Sequence, residues 1–128
     1  MRLLLDTHTF LWWTADSPRL SDTARGLIRN PDNELFLSAA SGWEMAIKAQ
    51  LGKLRISGDI EQFVAEQMSL NAIHSLPITM MHALHVQKLP LHHRDPFDRV
   101  LIAQSQLEQM PILTIDSVFR HYQVETLW

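Results

Sequence analysis

Short apolar runs alternate along the chain with segments in which apolar residues recur every three or four positions. Such runs are typical of buried strands, and such spacing is typical of amphipathic helices. The pattern predicts strands at 2–6, 35–38, 72–76, 111–115 and 124–127. It predicts helices at 7–15, 21–29, 40–51, 60–70, 79–87, 96–108 and 117–122. In the predicted helix at 40–51, the apolar residues with helical spacing are Trp43, Ile47 and Leu51.

This order of elements predicts the architecture. Strands that alternate with helices form right-handed crossovers and a mostly parallel sheet. We therefore expect a three-layer α/β/α sandwich. No repeat, low-complexity tract or linker interrupts the pattern, so we expect a single domain over residues 1–128.

Composition narrows the class of protein. The chain is 46% hydrophobic and 20% charged, as in ordinary folded domains. No apolar run approaches the ~18 residues of a membrane span, and Asp6 follows the first leucines too early for a signal peptide. There is no cysteine, which excludes disulfides and thiolate metal sites and fits a reducing cytoplasm. Glycine-rich phosphate loops and nucleophile elbows are also absent from the sequence.

Four acidic residues fall where strands end or helices begin. Asp6 ends the first predicted strand, and Asp116 follows the strand at 111–115. Glu44 and Asp98 lie in the first turns of the helices at 40–51 and 96–108. In open parallel sheets, ligands bind beyond the carboxyl ends of the strands. We therefore expect these four side chains at one edge of the sheet.

Each acid alone also has a purely structural explanation. Asp6 and Asp116 are good N-cap residues for the helices that follow them. Ser41-x-x-Glu44 matches a capping box. Asp95-Pro96-Phe97-Asp98 matches an N-cap, a proline at the first helical position and an acid favoured by the helix dipole.

Taken together, four converging acids favour a metal site. Their mutual repulsion would cost stability, and a bound cation would remove that cost. Oxygen ligands suit Mg²⁺ or Mn²⁺ better than Zn²⁺. The chemistry that needs such ions is phosphodiester hydrolysis, in which metals activate water and stabilise the leaving oxygen.

Four segments resemble the PIN domain family, and within it the VapC-like toxins of bacterial toxin–antitoxin pairs. They are 4–8 (Leu-Leu-Asp-Thr-His), 43–48 (Trp-Glu-Met-Ala-Ile-Lys), 95–104 (Asp-Pro-Phe-Asp-Arg-Val-Leu-Ile-Ala-Gln) and 113–116 (Leu-Thr-Ile-Asp). The resemblance runs from residue 4 to near residue 122. It implies an α/β/α fold and a metal-dependent endoribonuclease.

The resemblance also implies roles for particular residues and partners. It assigns the catalytic and metal-binding acids to Asp6, Glu44, Asp98 and Asp116, and it matches Thr114 to a hydroxyl near the site. Asp95 is either a helix cap or an auxiliary acid. The usual partner of such toxins is a small antitoxin protein whose tail occupies the catalytic groove, and homodimers are common in the family.

Basic and histidine side chains lie beside the acidic segments. The candidates for contact with RNA phosphates are Lys48, Lys53, Arg55, Arg94 and Arg99. Lys48 also has the spacing for an ion pair with Glu44. His92 and His93 are predicted to lie in an exposed turn, with a secondary substrate contact as the alternative.

Two other functions compete with a ribonuclease. A phospho-accepting receiver domain is also α/β, but it needs an acidic pair after the first strand and a late lysine, and no lysine follows Lys88. A catalytically silent interaction module would use the acids only as helix caps.

The net charge of −3 at first disfavours a nucleic-acid substrate. Setting the four candidate ligands aside from the 14 acids leaves 10 against 11 Lys and Arg. Bound divalent ions would make the site attract phosphate. RNA binding is therefore expected to depend on metal.

Overall fold

The computed structural model describes residues 1–128, and its five strands form one sheet. The strands are β1 (Arg2–Leu5), β2 (Glu34–Ser38), β3 (Ile73–Leu76), β4 (Ile112–Leu113) and β5 (Thr126–Leu127). Their order across the sheet is β3-β2-β1-β4-β5, and every neighbouring pair is parallel. The predicted parallel sheet is confirmed. β4 and β5 are shorter than predicted, at two residues each.

Six α-helices connect and flank the strands. They are α1 (Thr7–Thr14), α2 (Asp22–Arg29), α3 (Ala39–Gln50), α4 (Ile60–Leu70), α5 (Met80–His85) and α6 (Pro96–Glu108). The helix predicted at 79–87 is divided into α5 and a 3₁₀ turn, Val86–Lys88, and the last short helix, Ser117–His121, is also 3₁₀. No helix has the length and apolarity needed to cross a bilayer.

Two hydrophobic clusters lie on opposite faces of the sheet and create the three layers. Successive strand residues point to opposite faces, so Leu3 and Leu5 pack in one cluster with Phe10, while Leu4 packs in the other with Ile102. All five side chains are fully buried. The predicted α/β/α sandwich is therefore confirmed.

The face of α3 that is buried is not the face that the spacing of its apolar residues predicts. Trp43 and Leu51 are 60% and 62% exposed, whereas Ser41, Glu44 and Met45 are buried. The helix begins after Ser38, whose hydroxyl accepts the capping hydrogen bond from the Ala40 amide. The capping box predicted for Ser41 and Glu44 is therefore wrong, which leaves Glu44 free to face the interior.

Candidate functional site

The four predicted acids follow the three central strands or begin α6. Asp6 comes directly after β1, Glu44 lies in α3 after β2, and Asp116 begins the 3₁₀ turn after β4. Asp98 lies in the first turn of α6. Because β1 is flanked by β2 and β4, the carboxyl ends of these strands meet at one edge.

Asp6 is buried, and its carboxylate does not cap α1. It occupies the N-cap position without making a side-chain cap hydrogen bond. Instead its Oδ2 accepts a hydrogen bond from the Thr114 hydroxyl at 2.7 Å, and Thr114 Oγ1 accepts one from the Asp116 amide at 3.0 Å. Burial raises the pKa of Asp6, although the Thr114 hydrogen bond opposes this. Helix capping by the side chain therefore does not explain the acid at position 6.

Two polar side chains contact the Glu44 carboxylate, and a third contacts one of those two. Its Oε1 accepts a hydrogen bond from Thr7 Oγ1 at 2.8 Å, and Thr7 Oγ1 lies 2.8 Å from the hydroxyl of Ser41. An ionised carboxylate only accepts, so Thr7 donates to Glu44 and Ser41 donates to Thr7. Lys48 Nζ lies 2.8 Å from Oε2, which confirms the predicted ion pair. The sequence did not predict the hydrogen bonds of Thr7 and Ser41, although Thr7 adjoins Asp6 in the first motif.

Asp98 experiences the strongest perturbation. Burial raises the pKa of Asp98 to about 8, and repulsion from Asp95, Asp6, Asp116 and Glu44 adds to the shift. Asp98 Oδ2 also lies 3.2 Å from His93 Nε2. The structure therefore brings the four predicted acids within electrostatic reach of one another.

Asp95 and Asp116 both cap the elements they precede. Asp95 Oδ1 accepts hydrogen bonds from the amides of Phe97 and Asp98 at 2.9 and 3.0 Å. Asp116 Oδ1 accepts one from the Val118 amide at 3.0 Å. The cap alternative for Asp95 accordingly has direct geometric support, whereas Asp116 combines a cap with a place at the acidic edge.

The carboxylates are close, but they do not form a preassembled cage. No three histidine or acidic side chains are arranged to surround an ion. Lys48 lies 2.8 Å from the carboxylate of Glu44, and His93 lies 3.2 Å from that of Asp98. Mg²⁺ keeps several waters and needs only one or two direct carboxylates, so the donor set fits a hard divalent ion.

Two predictions about basic residues are corrected by the structure. Arg99 is only 7% exposed, and its guanidinium donates to three backbone carbonyls and to Tyr122, so the prediction that it contacts RNA is wrong. His93 is half-buried between Asp98 and Tyr122, so the exposed turn is wrong for this residue. His92 is exposed as predicted. Arg94, Lys53 and Arg55 are exposed as well.

Comparisons with known proteins agree with this fold. The PIN domain family model matches residues 3–125. Among curated proteins, the chain is similar to Ribonuclease VapC22 of Mycobacterium tuberculosis, with 28% identity over 98% of each chain.

Solved structures from other bacteria share the fold. VapBC2 from Rickettsia felis, bound to a promoter DNA fragment, matches with a TM-score of 0.70 at 12% identity, over 99% of this chain and 98% of that one. A toxin–antitoxin complex from Klebsiella pneumoniae matches with a TM-score of 0.59 at 18% identity, over 90% and 87%. VapBC-1 from nontypeable Haemophilus influenzae matches with a TM-score of 0.63 at 17% identity, over 99% and 97%. With the family model spanning nearly the whole sequence, this chain belongs to the PIN domain family.

Proposed function

We propose that this chain is a single-domain, divalent-metal-dependent endoribonuclease and the toxin of a toxin–antitoxin pair. The observation that carries the proposal is the placement of four mutually repelling carboxylates where the three central strands end and α6 begins. Similarity to a protein named as a ribonuclease supports RNA as the substrate. Helix capping alone would not require the burial of Asp6 and Glu44.

Asp6, Glu44, Asp98 and Asp116 would hold the ion, which would be Mg²⁺ or Mn²⁺. The chemistry supplied by such an ion would be activation of water and stabilisation of charge on the phosphodiester oxygens. Thr114 and Thr7 orient two of these acids through hydrogen bonds of 2.7 and 2.8 Å. Each of these hydroxyls is buried, so its carboxylate partner cannot rotate freely into solvent.

Side chains around the acids suit single-stranded RNA. Trp43 is 60% exposed and stacks edge-on against Phe97, with 5.2 Å between ring centroids. These two residues adjoin Glu44 and Asp98 in sequence, so an aromatic surface lies beside the acidic edge. Splayed RNA bases stack on such surfaces. We assign contacts with RNA phosphates to two basic residues. One is Arg94, which is exposed. The other is Lys48, which would become free to bind a phosphate once a metal ion took its place beside Glu44.

The partners follow from the same similarity. We propose a small antitoxin protein as one partner, because the chain is similar in fold to a toxin–antitoxin complex. We also propose a homodimer, supported by the apolar face of α5, where Met80, Met81 and Leu84 are 60% to 73% exposed. An RNA substrate places the active protein in the cytoplasm.

Cleavage of total cellular RNA tests this proposal. Purified protein should cut RNA in Mg²⁺ or Mn²⁺ and stop in EDTA, and mapping the ends should give recurrent internal sites. Asp98→Asn removes a charge while nearly keeping shape, and it should be inactive in the same preparation. Equal cleavage by wild type and Asp98→Asn would refute the assignment, and no cleavage by any preparation would favour a silent module.

A further inference from the structure

Hydrogen bonds link the buried guanidinium of Arg99 to Asp98 through two intervening side chains. Arg99 Nη1 donates to the Tyr122 hydroxyl at 3.2 Å. That hydroxyl lies 2.7 Å from Nδ1 of His93, and His93 Nε2 lies 3.2 Å from Asp98 Oδ2. Tyr122 is 5% exposed, so water has little access to compete for its hydroxyl.

The direction of these hydrogen bonds follows from the chemistry of Arg99. A guanidinium only donates, so the Tyr122 oxygen is the acceptor in its contact with Arg99. The Tyr122 proton has one acceptor within reach, His93 Nδ1. With Nδ1 accepting, a neutral ring carries its proton on Nε2. From Nε2 it can donate to Asp98 Oδ2 when a bound cation keeps that carboxylate ionised. The Tyr122 hydroxyl thereby selects one tautomer of His93, and Arg99, which does not touch the imidazole, sets the direction of the Tyr122 hydrogen bond.

Arg99 also holds the loop that carries His93. Its guanidinium donates to the backbone carbonyls of Pro90 at 2.9 Å, Val86 at 3.1 Å and Leu89 at 3.4 Å. Two of these carbonyls lie within four residues of His93. The imidazole is therefore fixed both by its ring contacts and by the backbone that precedes it.

We propose that His93 is a positioning residue that fixes Asp98 in the orientation required to bind a divalent ion, with Tyr122 and Arg99 setting its tautomer. This inference rests on the proposed metal-dependent function. Histidines and carboxylates just behind metal ligands commonly act in this way, and their loss typically costs about 10–100-fold in metal affinity. His93 holds one oxygen of Asp98, while Oδ1 has no hydrogen-bond partner within the chain.

The tautomer of His93 can be observed directly. In ¹⁵N-labelled protein with saturating Mg²⁺, we expect the chemical shifts of an unprotonated Nδ1 and a protonated Nε2. Tyr122→Phe removes the donor to Nδ1 and should move the shifts towards a mixture of tautomers. A proton on Nδ1 in the wild type, or unchanged shifts in Tyr122→Phe, would overturn the proposal.

Titration with Mn²⁺ alone measures the effect on binding. We expect His93→Ala to weaken Mn²⁺ binding about 10-fold or more in calorimetry. His93→Gln keeps an N–H donor and should recover most of the affinity. The matched control is His92→Ala, because His92 contacts the rings of Tyr122 and His121 and no acid. Wild-type affinity in a folded His93→Ala, or equal losses in His92→Ala and His93→Ala, would overturn the proposal.

RNA cleavage separates this inference from the proposed function. If the role of His93 is to position a metal ligand, excess Mn²⁺ should restore cleavage by His93→Ala. A loss that no Mn²⁺ concentration restores would refute the positioning role while leaving the ribonuclease intact. A wild type that binds Mn²⁺ with the expected His93 tautomer yet cuts no RNA would refute the proposed function alone.

Discussion

Replacing Asp98 by asparagine should stabilise the metal-free protein. Burial and neighbouring acids raise the pKa of Asp98 from its ordinary 3.8 to about 8, and its side chain is 18% exposed. Between these two pH values the folded protein holds a proton that the unfolded chain has released, so the free energy of unfolding falls as pH rises. At about 1.36 kcal/mol for each pH unit, the loss reaches a ceiling of roughly 6 kcal/mol by pH 8.

Urea denaturation in EDTA at several pH values provides the assay. We expect Asp98→Asn to match the wild type near pH 4 and to exceed it by at least about 2 kcal/mol at pH 8, within that ceiling. Asp59→Asn is the control, because Asp59 is exposed and its side chain makes no cap hydrogen bond. The free energy of unfolding of Asp59→Asn should differ from that of the wild type by the same amount at every pH.

Adding Mn²⁺ should narrow the difference in stability between the two proteins, because it should stabilise the wild type more than Asp98→Asn. A ligand at 100 times its Kd stabilises the folded state by about 2.7 kcal/mol, and only the wild type keeps the Asp98 carboxylate. The reasoning fails if Asp98→Asn is no more stable than the wild type at pH 8 in EDTA. It also fails if Mn²⁺ stabilises both proteins equally.

Three further predictions address the surroundings of the acids. Arg99→Met should lower the free energy of unfolding by about 2–4 kcal/mol, because it leaves buried acceptors unpaired; a thermal melt within experimental error of the wild type would contradict this. Thr114→Val removes the 2.7 Å donor to Asp6 and should weaken Mn²⁺ binding about 10-fold by calorimetry; unchanged binding would show that the hydroxyl is dispensable. Ca²⁺, used as a non-catalytic ion, should raise the affinity of the wild type for labelled single-stranded RNA in anisotropy measurements; a flat response would rule out charge reversal at the acids.

The layers and the acidic edge were predictable because each depends on local pattern and general topology. A buried strand ending in Asp6 and another followed by Asp116 place both acids at the same sheet edge once the strands are parallel. The alternation of Leu3, Leu4 and Leu5 between the two clusters follows from strand geometry alone.

The remaining features depend on tertiary contacts that spacing does not encode. The apolar pattern of α3 did not identify its buried face, because Glu44 is drawn inward by Thr7, which lies 37 residues away. Arginine is usually exposed, yet Arg99 is buried because its guanidinium donates to the carbonyls of Pro90 and Val86, 9 and 13 residues earlier. His93 contacts a tyrosine 29 residues later, so no local signal distinguished it from the exposed His92.

The most direct test of the central claim is the rate at which single-site variants cut one single-stranded RNA in Mn²⁺. Each candidate ligand loses its charge in turn, in Asp6→Asn, Glu44→Gln, Asp98→Asn and Asp116→Asn. Each change should reduce the rate by at least as much as the loss of a residue behind a metal ligand, which costs about 10–100-fold. Asp95 is the N-cap of α6, the helix that carries Asp98. Asp95→Ala removes only this cap, so the variant should lose about 1 kcal/mol of stability and retain cleavage. Variants of the four acids that cut as fast as the wild type would contradict the account.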